Sequence, residues 1–181
     1  MSLLLCAQLL FFVELIFLGI ADLIYRVAAA VEIFFFGCVL VAILYQAPIL
    51  QVGAAALSVA YGAAILPSGF AVLLLLWPPT WPSLVVGYGV RKELLGKGDL
   101  FAIGGISALY SLDVAIAAII GTMLWARWWG NRYRKSGDGT TLILIPLLPG
   151  MVIGVAVGMG FHLFLKSYLG VRSDASFWND W

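Results

Sequence analysis

The first twenty residues, Met1 to Ile20, hold one charged side chain, Glu14, and no basic one. A helix needs about 20 mostly apolar residues to cross the hydrocarbon core of a bilayer, and this run meets that requirement. It lacks the basic start and small-residue cleavage site of a removed signal peptide, so it is expected to be a retained first span. Further apolar runs follow near residues 28–46, 50–76, 99–111, 112–128 and 141–165. The expected fold class is all-α: a polytopic transmembrane helix bundle of about six spans, with 1–181 as one membrane-embedded domain. A composition of 64% hydrophobic and 10% charged residues agrees with this and argues against a water-soluble fold.

The segment from Ile49 to Gly89 is broken by Pro67-Ser-Gly69 and again by Trp77-Pro-Pro-Thr-Trp81-Pro82. Charge placement decides how to read it, because Lys and Arg collect on the cytoplasmic side of membrane proteins. One net crossing here puts Arg26, Arg91, Lys92, Lys97, Arg127, Arg132, Arg134 and Lys135 on one side, leaving only Lys166 and Arg172 on the other. An additional crossing would scatter them. A single crossing is therefore expected, with the Trp and Pro residues forming a reentrant or interfacial turn. Trp125 to Lys135 reads as an interfacial anchor leading to a loop that ends at Gly137-Asp138-Gly139, and Ser173 to Trp181 as a short interfacial or disordered tail.

Several function classes drop out. Cys6 and Cys38 sit in apolar runs and form no C-x-x-C pair, and His162 is the single histidine, so neither a disulfide framework, a metal site nor a cofactor is expected. A net charge of +1 gives no field directed at nucleic acid.

Acids in or beside spans are costly and are functional candidates by default. There are five: Glu14, Asp22, Glu32, Asp99 and Asp113. In the expected topology Asp22 ends the first span and Asp99 opens the fourth on the same side of the membrane. Gly96-Lys-Gly98-Asp99 sets two glycines before an acid, and glycine permits close approach of another backbone. The bland alternative is a helix start capped by Asp99. Two carboxylates in one site do not ionise independently, which supplies one base to activate water and one acid for the leaving amine.

Three segments carry a resemblance to the prepilin peptidases, a family of G-x-G-D membrane aspartyl proteases also called type IV leader peptidases. Ala21-Asp22-Leu-Ile-Tyr-Arg26-Val27 is similar to the first acidic motif. Gly96-Lys-Gly-Asp99-Leu-Phe-Ala-Ile-Gly-Gly is similar to the second. Ile145-Pro146-Leu-Leu-Pro149-Gly150 resembles the proline-rich start of the family's last span. The resemblance implies an aspartic endopeptidase of the inner (cytoplasmic) membrane, multi-pass, with Asp22 and Asp99 catalytic and Gly96, Gly98, Pro146 and Pro149 beside the substrate. Its implied partners are membrane lipid and a prepilin-like protein with a basic leader followed by a hydrophobic helix, as in type IV pilus assembly and protein secretion. Without C-x-x-C pairs the chain resembles the short form that lacks the methylation-associated insertion. It departs from the family at Val27-Ala28-Ala29-Ala30, where Ile-Pro-Asn is usual, and at Phe101, where Lys is frequent. An active diverged enzyme and an inactive relative both fit these departures.

The other polar residues have structural expectations. Glu14 reads as an interhelical hydrogen-bonding group, Glu32 as a partner of Arg26, and Asp113 as a cap for the fifth span. Gly154, Gly158 and Gly160 read as a close-packing stripe. Two other functional classes stay in contention: a small proton- or cation-conducting transporter, and a catalytically inert membrane scaffold subunit.

Overall fold

The computed structural model describes residues 3–25, 30–45, 49–134 and 145–168, and the regular secondary structure among them is helical, with no strand. The helices are α1 (Leu3–Tyr25), α2 (Val31–Leu44), α3 (Ile49–Gly62), α4 (Phe70–Leu75), α5 (Trp81–Arg91), α6 (Lys97–Leu109), α7 (Leu112–Arg134) and α8 (Leu148–Tyr168). Arg26 to Ala29, Lys135, Gly137-Asp138-Gly139, Arg172 and the Ser173–Trp181 tail lie outside the described residues, and so does the expected Glu32–Arg26 pairing.

The expectation of about six spans is corrected. Three helices are long and apolar enough to cross a membrane: α1, the Leu112–Arg132 part of α7, and α8. The 11 to 14 residues of α2, α3, α5 and α6 cover roughly 16–21 Å at about 1.5 Å per residue, against a hydrocarbon core of about 30 Å. Backbone breakers set the difference. The expected 50–76 span stops at Gly62, where the chain turns through Ala64 in the left-handed region (φ 63°) before Pro67. The fourth is confined between Gly96 and the extended backbone of Tyr110.

Between Ile49 and Arg91 the chain doubles back. Tyr61 at the end of α3 meets Arg91 at the end of α5, while Ser58 Oγ lies 3.4 Å from the carbonyl of Thr80, just before α5 begins. The two helices therefore run in parallel, and α4 with the 3₁₀ turn Pro78–Thr80 forms the return. Pro82 falls in the first turn of α5, where a missing N–H costs no helical bond. Arg91 fastens this region: its guanidinium donates to the carbonyls of Tyr61 (2.8 Å) and Leu66 and to Ser68 Oγ (2.8 Å), and stacks on the Tyr61 ring at 4.3 Å. A lysine cannot reproduce that planar fork. Arg91→Lys is expected to destabilise the chain by about 1–2 kcal/mol, measured as a lower unfolding midpoint in detergent.

α5 ends in a Schellman-type turn in which Leu94 N–H donates to Gly89 O, and Glu93 takes the left-handed C′ position (φ 59°) that glycine ordinarily fills. Glu93→Gly is therefore expected to stabilise the protein by about 0.5–1 kcal/mol, since the left-handed cost exceeds glycine's entropic one. Equilibrium unfolding of the two chains checks the sign.

α6 is the centre of the bundle, with Leu100, Ile103 and Ile106 fully buried. It lets its neighbours close in through Gly104, beneath Val59 of α3, and Gly105, where an added Cβ would stand 2.9 Å from the Phe34 ring of α2. Its last carbonyls are capped by amides from other helices: Gln51 donates to Ser107 O (3.0 Å) and Tyr110 O (2.6 Å), and Gln8 to Leu109 O (3.0 Å). Buried helix ends need such partners.

α7 and α8 form the closest pair. A Cβ at Gly154 would strike the backbone of Ala117 and Ala118, and one at Gly158 would meet Val114 Cα at 2.9 Å, as expected of small residues in a packing stripe. Gly150 extends the stripe, while Gly160 faces open space and does not belong to it. Outward-facing apolar residues such as Leu10 and Phe17, each 68% exposed, give α1 a surface suited to lipid.

Candidate active site

Helix directions fix what meets at each end. Gln8 of α1 contacts the C-terminal end of α6, so the other end of α1, carrying Asp22, lies toward the start of α6. α8 runs against α7, which brings its start to the same end, where the indole N–H of Trp125 donates to Pro146 O at 2.8 Å. The C-terminal end of α1 and the N-terminal ends of α6 and α8 therefore converge. Arg91, Lys92, Lys97, Arg127 and Arg132 all lie on this end, and Lys166 on the opposite one.

Asp22 is buried, and its Oδ2 accepts the N–H of Leu148 at 3.2 Å. The contact depends on Gly19, one turn earlier, where the chain of α8 passes so close that an added Cβ would be 3.0 Å from Val152 Cγ2 and 3.6 Å from Pro149 Cα. A carboxylate at a helix start also meets the positive end of the helix dipole. Asp22 thus caps a helix more than a hundred residues away, a role invisible to local sequence reasoning.

Asp99 is half-buried in the first turn of α6. Its Oδ2 accepts the N–H of Gly96 at 3.0 Å. The N-cap position belongs to Gly96, and Asp99 occupies N3, reaching back over the turn as the acidic member of a capping box does. The simple N-cap assignment to Asp99 is thereby corrected by three positions: the glycine supplies the extended cap backbone and the acid satisfies its amide. Asp22 and Asp99 lie within reach of each other's charge.

The four other expected site residues divide. Gly96 is exposed and Gly98 half-buried beside Asp99. Pro149 packs against Gly19, one turn before Asp22, and Pro146 accepts the Trp125 indole N–H through its carbonyl. Residues Ile145 to Leu147 are non-helical, which leaves irregular backbone next to the two acids.

A cavity of about 280 Å³ opens at this end, walled by α5, the segment after it, α7 and the start of α8, with Asp99 in its lining. Nothing in the sequence announced it. Its apolar lining residues (Val85, Leu94, Ile119 and Met123 among them) are indistinguishable, by type and spacing, from core or lipid-facing positions.

At the opposite end His162 Nδ1 lies 3.0 Å from Asp113 Oδ2 and 3.3 Å from Ser111 Oγ. Asp113, in the first turn of α7, thus ties that helix to α8 as well as serving its N-terminus. Serine and aspartate approach the same ring nitrogen, whereas a nucleophilic triad needs them on different ones, so the cluster is a helix clamp. Glu14 is half-buried within electrostatic reach of Cys38, away from Asp22, and Glu32 is exposed. Among the described residues no group of His, Cys, Asp and Glu is suited to hold a metal ion. The chain matches no protein-family model, no curated protein and no solved structure.

Proposed function

We propose that this protein is a multi-pass membrane aspartyl endopeptidase that removes the leader of a prepilin-like substrate at the cytoplasmic face of the inner membrane, with Asp22 and Asp99 as the dyad. The observation that carries this is the convergence of helix ends: the last turn of α1, with Asp22, and the first turn of α6, with Asp99, lie at the same end of the bundle, where the charge of Asp22 is felt at Asp99. They do so next to non-helical backbone at Ile145–Leu147 and a cavity able to receive an apolar group. In the proposed reaction the ionised carboxylate takes a proton from a water whose oxygen adds to the scissile carbonyl carbon, and the protonated acid gives its proton to the amine nitrogen as the C–N bond breaks. Gly96 and Gly98 leave room for an extended substrate backbone alongside Asp99.

A second function, an inert membrane scaffold, is favoured by one specific observation: each carboxylate already accepts a backbone N–H, as helix caps do. Cleavage of a leader-bearing candidate substrate in membranes separates the two. The peptidase proposal requires the leader to be released by the wild-type chain and retained with Asp99→Asn. Equal processing by both chains removes Asp99 from the mechanism.

A further inference from the structure

The cavity between α5, α7 and the start of α8 presents a wholly apolar surface. Its two polar residues turn their oxygens elsewhere: the Thr122 hydroxyl donates to Ala118 O at 2.8 Å, and Asp99 Oδ2 accepts the Gly96 N–H at 3.0 Å. Water finds no partner in such a lining, and an apolar cavity of about 150 Å³ stays dry and takes up benzene. This one, about 280 Å³, has room for a longer hydrocarbon segment. Left empty, its walls forfeit their dispersion contacts.

The opening identifies the source of that hydrocarbon. Val85 of α5 and Met123 of α7 line the cavity and are 57% and 66% exposed. The mouth therefore lies on the outer flank between these helices, and α7 carries a stretch long and apolar enough to cross a membrane. Val86 and Met151 form the inner wall, only 5% and 1% exposed.

The rim carries charge of one sign. Lys92 follows Gly89 of the lining by three residues and Arg127 follows Met123 by four, so each stands about one turn nearer the basic end of the bundle on the side where the cavity opens. Both are exposed, and neither is in an ion pair among the described residues. Glu93 is the exposed acid beside Lys92, and the exposed Lys97 at the start of α6 offsets it. Tyr88 and Trp128, 57% and 49% exposed, stand at the same level, and exposed aromatics of this kind mark headgroup depth.

We infer that this cavity holds one acyl chain of an anionic phospholipid, with the headgroup phosphate against Lys92 and Arg127. The chain by itself gains little on leaving the surrounding lipid, whose tails are as apolar as the lining. Selection among lipids therefore comes from the two cations at the rim. This goes beyond the peptidase proposal and does not depend on it.

The test places the full chain in phosphatidylcholine nanodiscs containing a trace of phosphatidylglycerol or phosphatidylcholine that bears a photoactivatable diazirine on one acyl chain. Adducts are located by mass spectrometry, and the readout is labelling of Val86 and Met151, which are too little exposed for bulk lipid to reach. The phosphatidylglycerol probe is expected to label them at least about tenfold more than the phosphatidylcholine probe. Lys92→Gln combined with Arg127→Gln is expected to make the two probes equal. Ala126→Phe and Ile119→Phe, which fill the cavity from two positions on α7, are expected to abolish inner-wall labelling by both, while Leu10 and Phe17 on α1 stay labelled and circular dichroism shows the helices retained. Equal inner-wall labelling by the two probes in the wild-type chain, an undiminished preference in the charge variant, or labelling that survives in a folded cavity-filled variant overturns the inference. So does an inner wall that neither probe labels, which leaves the cavity to an apolar side chain of a protein partner. The charge variant alters exposed positions only, so its arm stands even where a filled variant fails to fold. Cleavage is not read in any arm, so a failure here and a failure of the peptidase proposal are told apart.

Discussion

Asp99→Asn is expected to lower leader cleavage at least about 100-fold, the lower end of what a positioned acid or base contributes, while leaving the unfolding midpoint nearly unchanged. The asparagine side chain has the same shape and keeps an oxygen to accept the Gly96 N–H, so the start of α6 is preserved to within about 0.5 kcal/mol. It loses the ability to exchange a proton. A capping role alone predicts full cleavage with unchanged stability, so the two readings give opposite results in one variant. Asp22→Asn carries the same expected loss of cleavage, with a larger structural cost of about 0.5–1 kcal/mol, because the charge facing the α8 dipole disappears. Asp22→Ala separates the effects further: it strands the buried Leu148 N–H, which costs about 1–3 kcal/mol. Glu14→Gln, which alters an acid away from the convergence of α1, α6 and α8, is the control and is expected to leave cleavage unchanged.

Gly154→Leu is expected to destabilise the protein by about 3 kcal/mol or more, the upper range for overpacking. The obstruction is backbone, the carbonyl of Ala117 and Cα of Ala118 (2.5 Å from an added Cβ), so no side-chain rotation relieves it. α7 and α8 must move apart. That movement also pulls Pro146 from Trp125 and Leu148 from Asp22, so cleavage falls together with stability. Gly160→Leu, two positions past Gly158 and so on another face of the helix, meets open space and is expected to change the stability by no more than about 0.5 kcal/mol. Detergent unfolding of the two variants measures the contrast directly.

Much of the site was readable because its signals are local. Gly96-Lys-Gly-Asp99 lies in one short segment, and the Gly154 and Gly158 spacing is a property of one helix. The all-helical class follows from the apolar runs, since backbone groups out of water must be satisfied within their own segment. The number of long helices was not readable in the same way. Hydropathy reports apolar length, whereas the helix bounds were set by backbone events at Ala64, Gly96 and Tyr110, and an apolar run interrupted by such a turn scores like one that is not.

Sequence alone determined that this is a helical chain with lipid-compatible surfaces and that Asp22 and Asp99 are acids at helix ends. These are consequences of residue type and spacing along one segment. Only the tertiary structure decided that Asp22 accepts the Leu148 N–H, and that Asp113 meets His162 across 49 positions. It also decided that apolar residues from separate helices leave a cavity beside Asp99. Each of these depends on how closely α1, α7 and α8 approach at Gly19, Gly150 and Gly154, a distance set by packing between helices and written into no single stretch of the chain.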